Sequence, residues 1–319
     1  FDYKKANSLV DYSDMIHQFV NKKHLCPTFD VVFIDEAQDL SPIQWMMYDI
    51  LKANTKDMYL AGDDDQAIYA WAGADVDRFI KEPATEVVLK KSRRVPRKVQ
   101  DISNIIVNRI EGLRADKKYY PREEDGLCEK INNLDNVDLK KDNWLILTRT
   151  RSKSVQIAKE LKQRGIFFES KFFKSLNTKL HKAAVYYSRW SEGQELNQKE
   201  IDDVEDYMSD DNWNELVPWF EAFDKANLED KNYIRLLLSN KEKLSESPRV
   251  KVSTIHAAKG GESDNVLLVL DNARKIRESV LKNVRKRDEE HRVWYVGVTR
   301  SRKNLYLMRA KIERYGYNL

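Results

Sequence analysis

Apolar positions in this chain follow two different periods. Short, mostly apolar stretches occur at 31–34, 58–60, 86–89, 143–148, 166–168, 250–255, 266–270 and 304–308, and the first is a continuous run, too short for a helix and rich in β-branched residues. They read as strands, and 31–34 reads as one buried on both faces of a parallel sheet. Between them apolar residues recur at helical spacing. Ser41 and Pro42 open one such stretch, with Ile43, Met46, Met47, Ile50 and Leu51 as its core-facing stripe. The stretch 98–109 is a second, and 152–164 is a third, with Val155, Ala158 and Leu161 inward and Gly165 at the position that closes a helix. In a fourth, 288–301, Arg292, Val296 and Arg300 recur every four residues and so share one face. Strands alternating with helices predict an α/β protein with parallel sheets. From 176 to 247 the pattern turns helical, with Trp190, Trp213, Trp219 and Phe220 as packing anchors.

The first run ends in Asp35-Glu36. The C-terminal edge of a parallel strand is where open α/β sheets bind ligands. One carboxylate there can hold a magnesium ion that brings water and phosphate oxygens, so Asp35 is the metal candidate, with Glu36 beside it. Glu36 can take a proton from an attacking water. An acidic pair at a strand end, taken alone, reads equally well as a solvated surface pair.

Composition narrows the class. A chain of 319 residues suffices for two cores, and 34% charged with 41% hydrophobic residues is an ordinary soluble balance. The net charge of +4 is too small to announce a nucleic-acid binder by itself. Its distribution says more: 192–230 is acidic, with Asp202, Asp203, Glu205, Asp206, Asp210 and Asp211, while 274–287 is basic. That asymmetry fits one nucleic-acid-facing surface, or two solvated helices. Cys26 and Cys128 have neither disulfide nor zinc-ligand spacing, and no signal peptide or apolar membrane run occurs, which points to the cytoplasm and no membrane partner.

Four segments carry a resemblance. Asp35-Glu-Ala-Gln-Asp39 resembles motif II (Walker B) of the UvrD/Rep family of superfamily 1 DNA helicases. The segment Gly62-Asp-Asp-Asp-Gln-Ala-Ile-Tyr-Ala-Trp-Ala-Gly-Ala74 resembles motif III, Thr254-Ile-His-Ala-Ala-Lys-Gly260 motif V, and Glu289-Glu-His-Arg-Val-Trp-Tyr-Val-Gly-Val-Thr-Arg300 motif VI. They stand in the family's order. Lys90-Lys-Ser-Arg-Arg94 resembles motif IV, with Arg93 where relatives carry a tyrosine that stacks on adenine. The resemblance implies two RecA-like lobes. Residues 1–85 would be the C-terminal part of the first, 86–175 the first part of the second, 176–247 a helical insertion and 248–319 the rest of the second lobe. It implies ATP and Mg²⁺ as cofactors. Asp35, Glu36, Gln66, Arg94 and Arg300 would be catalytic, with Gln66, Arg94 and Arg300 directed at the terminal phosphate. Arg93, Gly260 and Glu262 would bind the nucleotide. Tyr69, Trp71, Thr254, His256 and Arg149 would contact DNA, the two aromatic residues by stacking on bases. Without the resemblance, Tyr69 and Trp71 read as core aromatics and Arg149 as a surface arginine.

None of the ten glycines is followed by lysine, so a Walker A loop, G-x-x-x-x-G-K-[ST], does not occur in the chain. With Phe1 as first residue, the expectation is a helicase whose upstream Walker A segment is missing here. The function implied is a 3′→5′ helicase or translocase on single-stranded DNA and its duplex junctions, in repair, replication or recombination, expected as a monomer. The isolated chain is expected to be inactive for ATP hydrolysis. A DNA-binding module without hydrolysis, or the motor of a helicase–nuclease, are the alternatives.

Overall fold

The computed structural model describes residues 2–209 and 213–319; Asp210 and Asp211 of the acidic stretch lie outside the described residues. In chain order the elements are α1 (Asp2–Ala6), α2 (Tyr12–Asn21), β1 (Phe29–Ile34), α3 (Pro42–Ala53), β2 (Thr55–Leu60), α4 (Val76–Lys81) and α5 (Arg97–Val107). Next come β3 (Leu127–Ile131), β4 (Trp144–Thr148), α6 (Arg151–Gln163), β5 (Phe168–Ser170), α7 (Thr178–Ser191), α8 (Gln198–Glu205), α9 (Trp219–Ala222) and α10 (Leu228–Ser239). Then follow β6 (Val250–Thr254), β7 (Ser263–Val269), α11 (Arg274–Lys282), α12 (Val284–Val298) and β8 (Ser301–Met308). Every strand pair in both sheets is parallel, as expected for an α/β protein of this class.

The chain packs as two compact units. One comprises 1–125, 274–299 and 319; the other comprises 126–273 and 300–318. These limits do not coincide with the lobe boundaries drawn from sequence, because 86–125 and α11–α12 pack in the first unit.

In the first unit β1 and β2 form a two-stranded sheet. The expectation that 31–34 is buried on both faces is corrected: Val31 is 45% and Phe33 75% exposed. Among the described residues no third strand joins this sheet, and Phe33 instead stacks on Tyr59 at 4.9 Å between ring centroids. The stretch 86–89 is no strand either. Val87 and Leu89 are exposed, and only an isolated bridge between Lys91 and Tyr120 forms nearby. In α3, Pro42 occupies the first turn and Gln44 Oε1 accepts from the Ser41 amide at 2.8 Å. The buried face is Trp45 and Tyr48, not the Met stripe, since Met46 is half exposed. Arg78 of α4 lies over the Trp45 ring, and Tyr48 donates to Glu82 at 2.8 Å. Helix α12 packs on α5 and on the turn at 64–66. Nearly all of its residues from Glu290 onward are buried, so it is a core helix and not an amphipathic one.

The second unit holds a six-stranded sheet in the order β3-β8-β7-β4-β6-β5. Its central strands are fully buried, with Ile146, Leu147, Val266, Leu267 and Leu268 inaccessible. Helices α7–α10 share one apolar core with this sheet: Tyr187, Phe223, Ile234 and Leu237 cluster with Phe168, Val250 and Leu267. Trp213 stacks on Tyr187, and Trp219 is buried, as the anchor role requires. Tyr233 of α10 donates to the Ile166 carbonyl at 2.8 Å, tying that helix to the start of β5. Gly165 closes α6 at φ +61, where an added Cβ would meet Leu236 at 2.7 Å. On α6 the inward residues are Ile157, Ala158 and Leu161, whereas Val155 is half exposed.

Candidate active site and nucleic-acid interface

In the first unit the chemistry gathers where β1 and β2 end. Because the two strands are parallel and paired to their last residues, Ile34 with Leu60, the segments that follow leave the sheet side by side. Ala37 donates to the Ala61 carbonyl at 2.9 Å and fixes that relationship. Asp35 and Glu36 are both exposed there. Asp35 Oδ1 accepts from the Glu36 amide at 2.8 Å, and Glu36 sits in the left-handed region at φ +53, uncommon for a residue with a side chain. Gln38, fully buried, bridges the two loops: its Nε2 donates to Glu36 Oε2 at 2.5 Å and its Oε1 accepts from the Asp63 amide at 3.0 Å. Gln66, partly exposed, donates from Nε2 to Asp63 Oδ2 at 2.8 Å. Glu36 and Gln66 are thus joined by a hydrogen-bonded path through Gln38 and Asp63.

Among the described residues no group of three or more carboxylate, histidine or cysteine ligands could hold a metal. A hard cation that keeps water and phosphate oxygens in its shell needs few protein ligands, and the exposed Asp35, with exposed Glu36 beside it, could offer one. Arg94 follows Ser92, whose Oγ accepts from the Arg94 amide at 3.3 Å, and its charge bears on the buried Tyr295 phenol. Burial, then Asp63 and Asp65, push that phenol well above its ordinary value, against Arg94. Arg93 is exposed.

Tyr69 and Trp71 lie 6.2 Å apart at 63° between ring planes. Trp71 is 71% exposed, so it is no core aromatic. Tyr69 is partly buried, and burial followed by Asp39 and Glu36 raises its phenol. A cavity of about 340 Å³ opens beside this segment, lined by Ala67, Ala70, Ala74, Leu113 and, from α12, Asp288 and Arg292. Arg292 donates to the Leu113 carbonyl at 3.0 Å. The basic stretch 274–287 is not a bare positive face. Arg274 pairs with Glu278, Arg285 and Lys286 with Glu289, and Arg287 with Glu111.

In the second unit the candidate residues divide between the two ends of the sheet. Thr148 and Thr254 are register partners at the C-terminal ends of β4 and β6. Arg149 and His256 follow them, which brings Arg149, Thr254 and His256 together. Thr254 Oγ1 accepts from the Ala257 amide at 3.3 Å. Burial, aided by the positive Arg149, lowers His256 to about 4, so its imidazole is neutral at pH 7. Gly260, Glu262 and Arg300 lie at the opposite end, where β7 and β8 begin. Gly260 takes φ +82, Glu262 accepts from Arg302 at 3.2 Å, and Ser263 donates its amide to the Arg300 carbonyl at 3.1 Å. Arg300 is 1% exposed and donates to the Gly261 carbonyl at 3.4 Å. It stands past the end of α12, because Thr299 caps the helix. The shared face expected for Arg292, Val296 and Arg300 therefore holds only for the first two.

Sequence reasoning missed Gln38, Asp63, Arg114 and Lys117. The available signal was the run Asp63-Asp64-Asp65 straight after an apolar strand, since buried carboxylates demand counter-charges. Lys117 and Arg114 supply them.

Comparison with known proteins bears on the family of the chain. Residues 1–85 match the UvrD/REP helicase N-terminal domain, and residues 179–311 match the UvrD-like helicase C-terminal domain. The chain is similar to DNA helicase II of Escherichia coli strain K12, 30% identical over 131 residues, which cover 37% of this chain and 18% of that protein. It is also similar to the ATP-dependent DNA helicase PcrA of Leuconostoc citreum, 26% identical over 140 residues, 40% of this chain and 18% of that protein. A protein of Mycoplasma capricolum named "Probable DNA helicase II homolog" matches at 26% over 163 residues, 44% of this chain and 22% of that one. The matched stretch thus spans about a fifth of each relative's length. With both family domains matched in order over well over half of its residues, the chain belongs to the UvrD/Rep helicase family.

Proposed function

We propose that this chain is the part of an ATP-driven DNA helicase that senses nucleotide and grips single-stranded DNA, moving 3′→5′ in DNA repair, replication or recombination. The observation that carries the reading is the path Glu36–Gln38–Asp63–Gln66. It joins a residue suited to accept a proton from water to an amide suited to sense a phosphate, a few residues from the exposed Trp71. A change at the phosphate can therefore reach a base-stacking surface through a short rigid turn.

The roles follow from side-chain chemistry. Asp35 holds Mg²⁺, which when bound neutralises phosphate charge. Glu36 orients and deprotonates water, and Gln66 hydrogen-bonds the terminal phosphate. Arg94 and Arg300 offer planar guanidinium donors to the charge that develops in transfer. Arg93 stacks on the base, and Gly260 and Glu262 meet the rest of the nucleotide. Tyr69 and Trp71 stack on bases, while Thr254, His256 and Arg149 hold the strand. The isolated chain, without a phosphate-cradling loop, hydrolyses ATP poorly or not at all, and the working protein is a monomer in the cytoplasm. Among the described residues no helix is long and apolar enough to cross a membrane.

Strand displacement tests this reading on the chain joined to an upstream Walker A segment. Duplexes with 3′ tails should be opened with ATP and those with 5′ tails should not. Tight, ATP-indifferent binding without displacement favours the DNA-binding module instead.

A further inference from the structure

The segment from Glu111 to Lys117 has no regular backbone, yet it is anchored at both ends within the first unit. At one end the Glu111 and Gly112 amides donate to the Asp288 carboxylate of α12 at 3.1 and 2.8 Å. At the other, Arg114 clasps Asp65 with two bonds, 2.7 and 2.9 Å, and the Ala115 amide donates to Asp64 at 3.1 Å. Beyond these, the Lys117 ammonium inserts between Asp63, at 2.5 Å, and Asp64, with Asp65 at 3.4 Å. The Lys117 side chain is 5% exposed and that of Asp65 is fully buried. Burial alone would pull the ammonium down, but Asp63, Asp65 and Asp64 together outweigh it and hold it above its ordinary value.

Fixing the segment does not require Lys117, because Arg114 and Ala115 already tie it to Asp65 and Asp64. What Lys117 adds is Asp63. That residue uses Oδ1 for Lys117 at 2.5 Å and for the Asp65 amide at 3.1 Å, and Oδ2 for the Gln66 carboxamide, and its amide holds Gln38, which holds Glu36. A carboxylate pinned on one oxygen presents the other in one direction.

We propose that Lys117 is a positioning residue for ATP hydrolysis: through Asp63 it sets the Gln66 carboxamide and, by way of Gln38, the Glu36 carboxylate. The inference rests on reading Gln66 and Glu36 as the phosphate sensor and the base. It makes 111–117 a strap by which α12, at Asp288, bears on the turn that carries Gln66.

Two measurements test it. In the 319-residue chain labelled with ¹⁵N-glutamine, Lys117→Met should speed water exchange of the Gln66 and Gln38 side-chain amides by about tenfold or more. The backbone amide of Gln156, in α6 of the second unit, should not change. If Lys117→Met does not fold, Lys117→Met with Asp64→Asn, which balances the buried charge, should give the same result. Unchanged Gln66 and Gln38 exchange in a folded variant overturns the proposal. In the chain joined to a Walker A segment, Lys117→Met should lower kcat about tenfold or more with KM for ATP within about twofold, and should add nothing to Asp63→Ala. Full additivity with Asp63→Ala, or a change in KM alone, overturns it as well. If the unsubstituted protein shows no turnover, the functional reading fails on that result, and glutamine exchange still decides whether Lys117 positions Gln66.

Discussion

Gly62 lies so close to Gln38 that a Cβ on it would meet Gln38 Oε1 at 2.6 Å and the Phe79 ring at 2.8 Å. Glycine here is a packing requirement of the loop that joins β2 to the triple-aspartate turn. It lets the buried Gln38 reach the Asp63 amide and Glu36 together. Gly62→Ala should lower the unfolding free energy by about 1–3 kcal/mol, since neither a buried amide nor an aromatic ring can yield without loss. Urea titration of the chain measures it. In the chain joined to an upstream Walker A segment, Gly62→Ala should also lower ATP turnover.

Trp71 should matter to DNA and not to folding. With 71% of its surface exposed, Trp71→Ala should leave stability within about 0.5 kcal/mol. It should weaken oligo-dT binding by about 1–3 kcal/mol, read by fluorescence anisotropy. An equal loss of stability would return Trp71 to a packing role.

His256 and Arg149 should contribute to DNA binding in different ways. Arg149→Gln should reduce the slope of log affinity against log salt by about one, as for a lost phosphate contact. His256→Gln should leave the slope unchanged at pH 7, because burial keeps its imidazole neutral.

The same histidine predicts a pH dependence of stability. Its folded value, about 4, lies below the ordinary 6.5, so between those values the unfolded chain takes up a proton that the folded chain declines. This contribution is present above pH 6.5 and is lost as pH falls towards 4. The slope is at most about 1.4 kcal/mol per pH unit. Paired urea titrations of the unsubstituted chain and His256→Gln isolate it, and equal slopes for the two would contradict it.

Strand runs such as 143–148 and 266–270 were legible because central parallel strands must be apolar on both faces. The β3 strand was not, since Leu127-Cys-Glu-Lys-Ile131 mixes charge into an outer strand. The opposite error occurred at 86–89, where apolar residues stay exposed. Glu36, Gln66, Trp71 and Arg300 could be singled out as candidates because each stands within a local motif. Lys117 and Arg114 were invisible for the converse reason: their partners Asp63–Asp65 lie about fifty residues away, and only the folded chain brings them together. The helix drawn through Arg300 overran because Thr299 bonds back to the Tyr295 carbonyl and ends it.

Single-stranded-DNA-stimulated ATP hydrolysis tests the central claim most directly, measured on the chain alone, on the chain joined to an upstream Walker A segment, and on the latter carrying Glu36→Gln. The account predicts no turnover from the chain alone, DNA-stimulated turnover once the segment is joined, and loss of about 10²-fold or more in kcat with Glu36→Gln. Absence of turnover in the joined protein, or turnover that Glu36→Gln leaves intact, would contradict it.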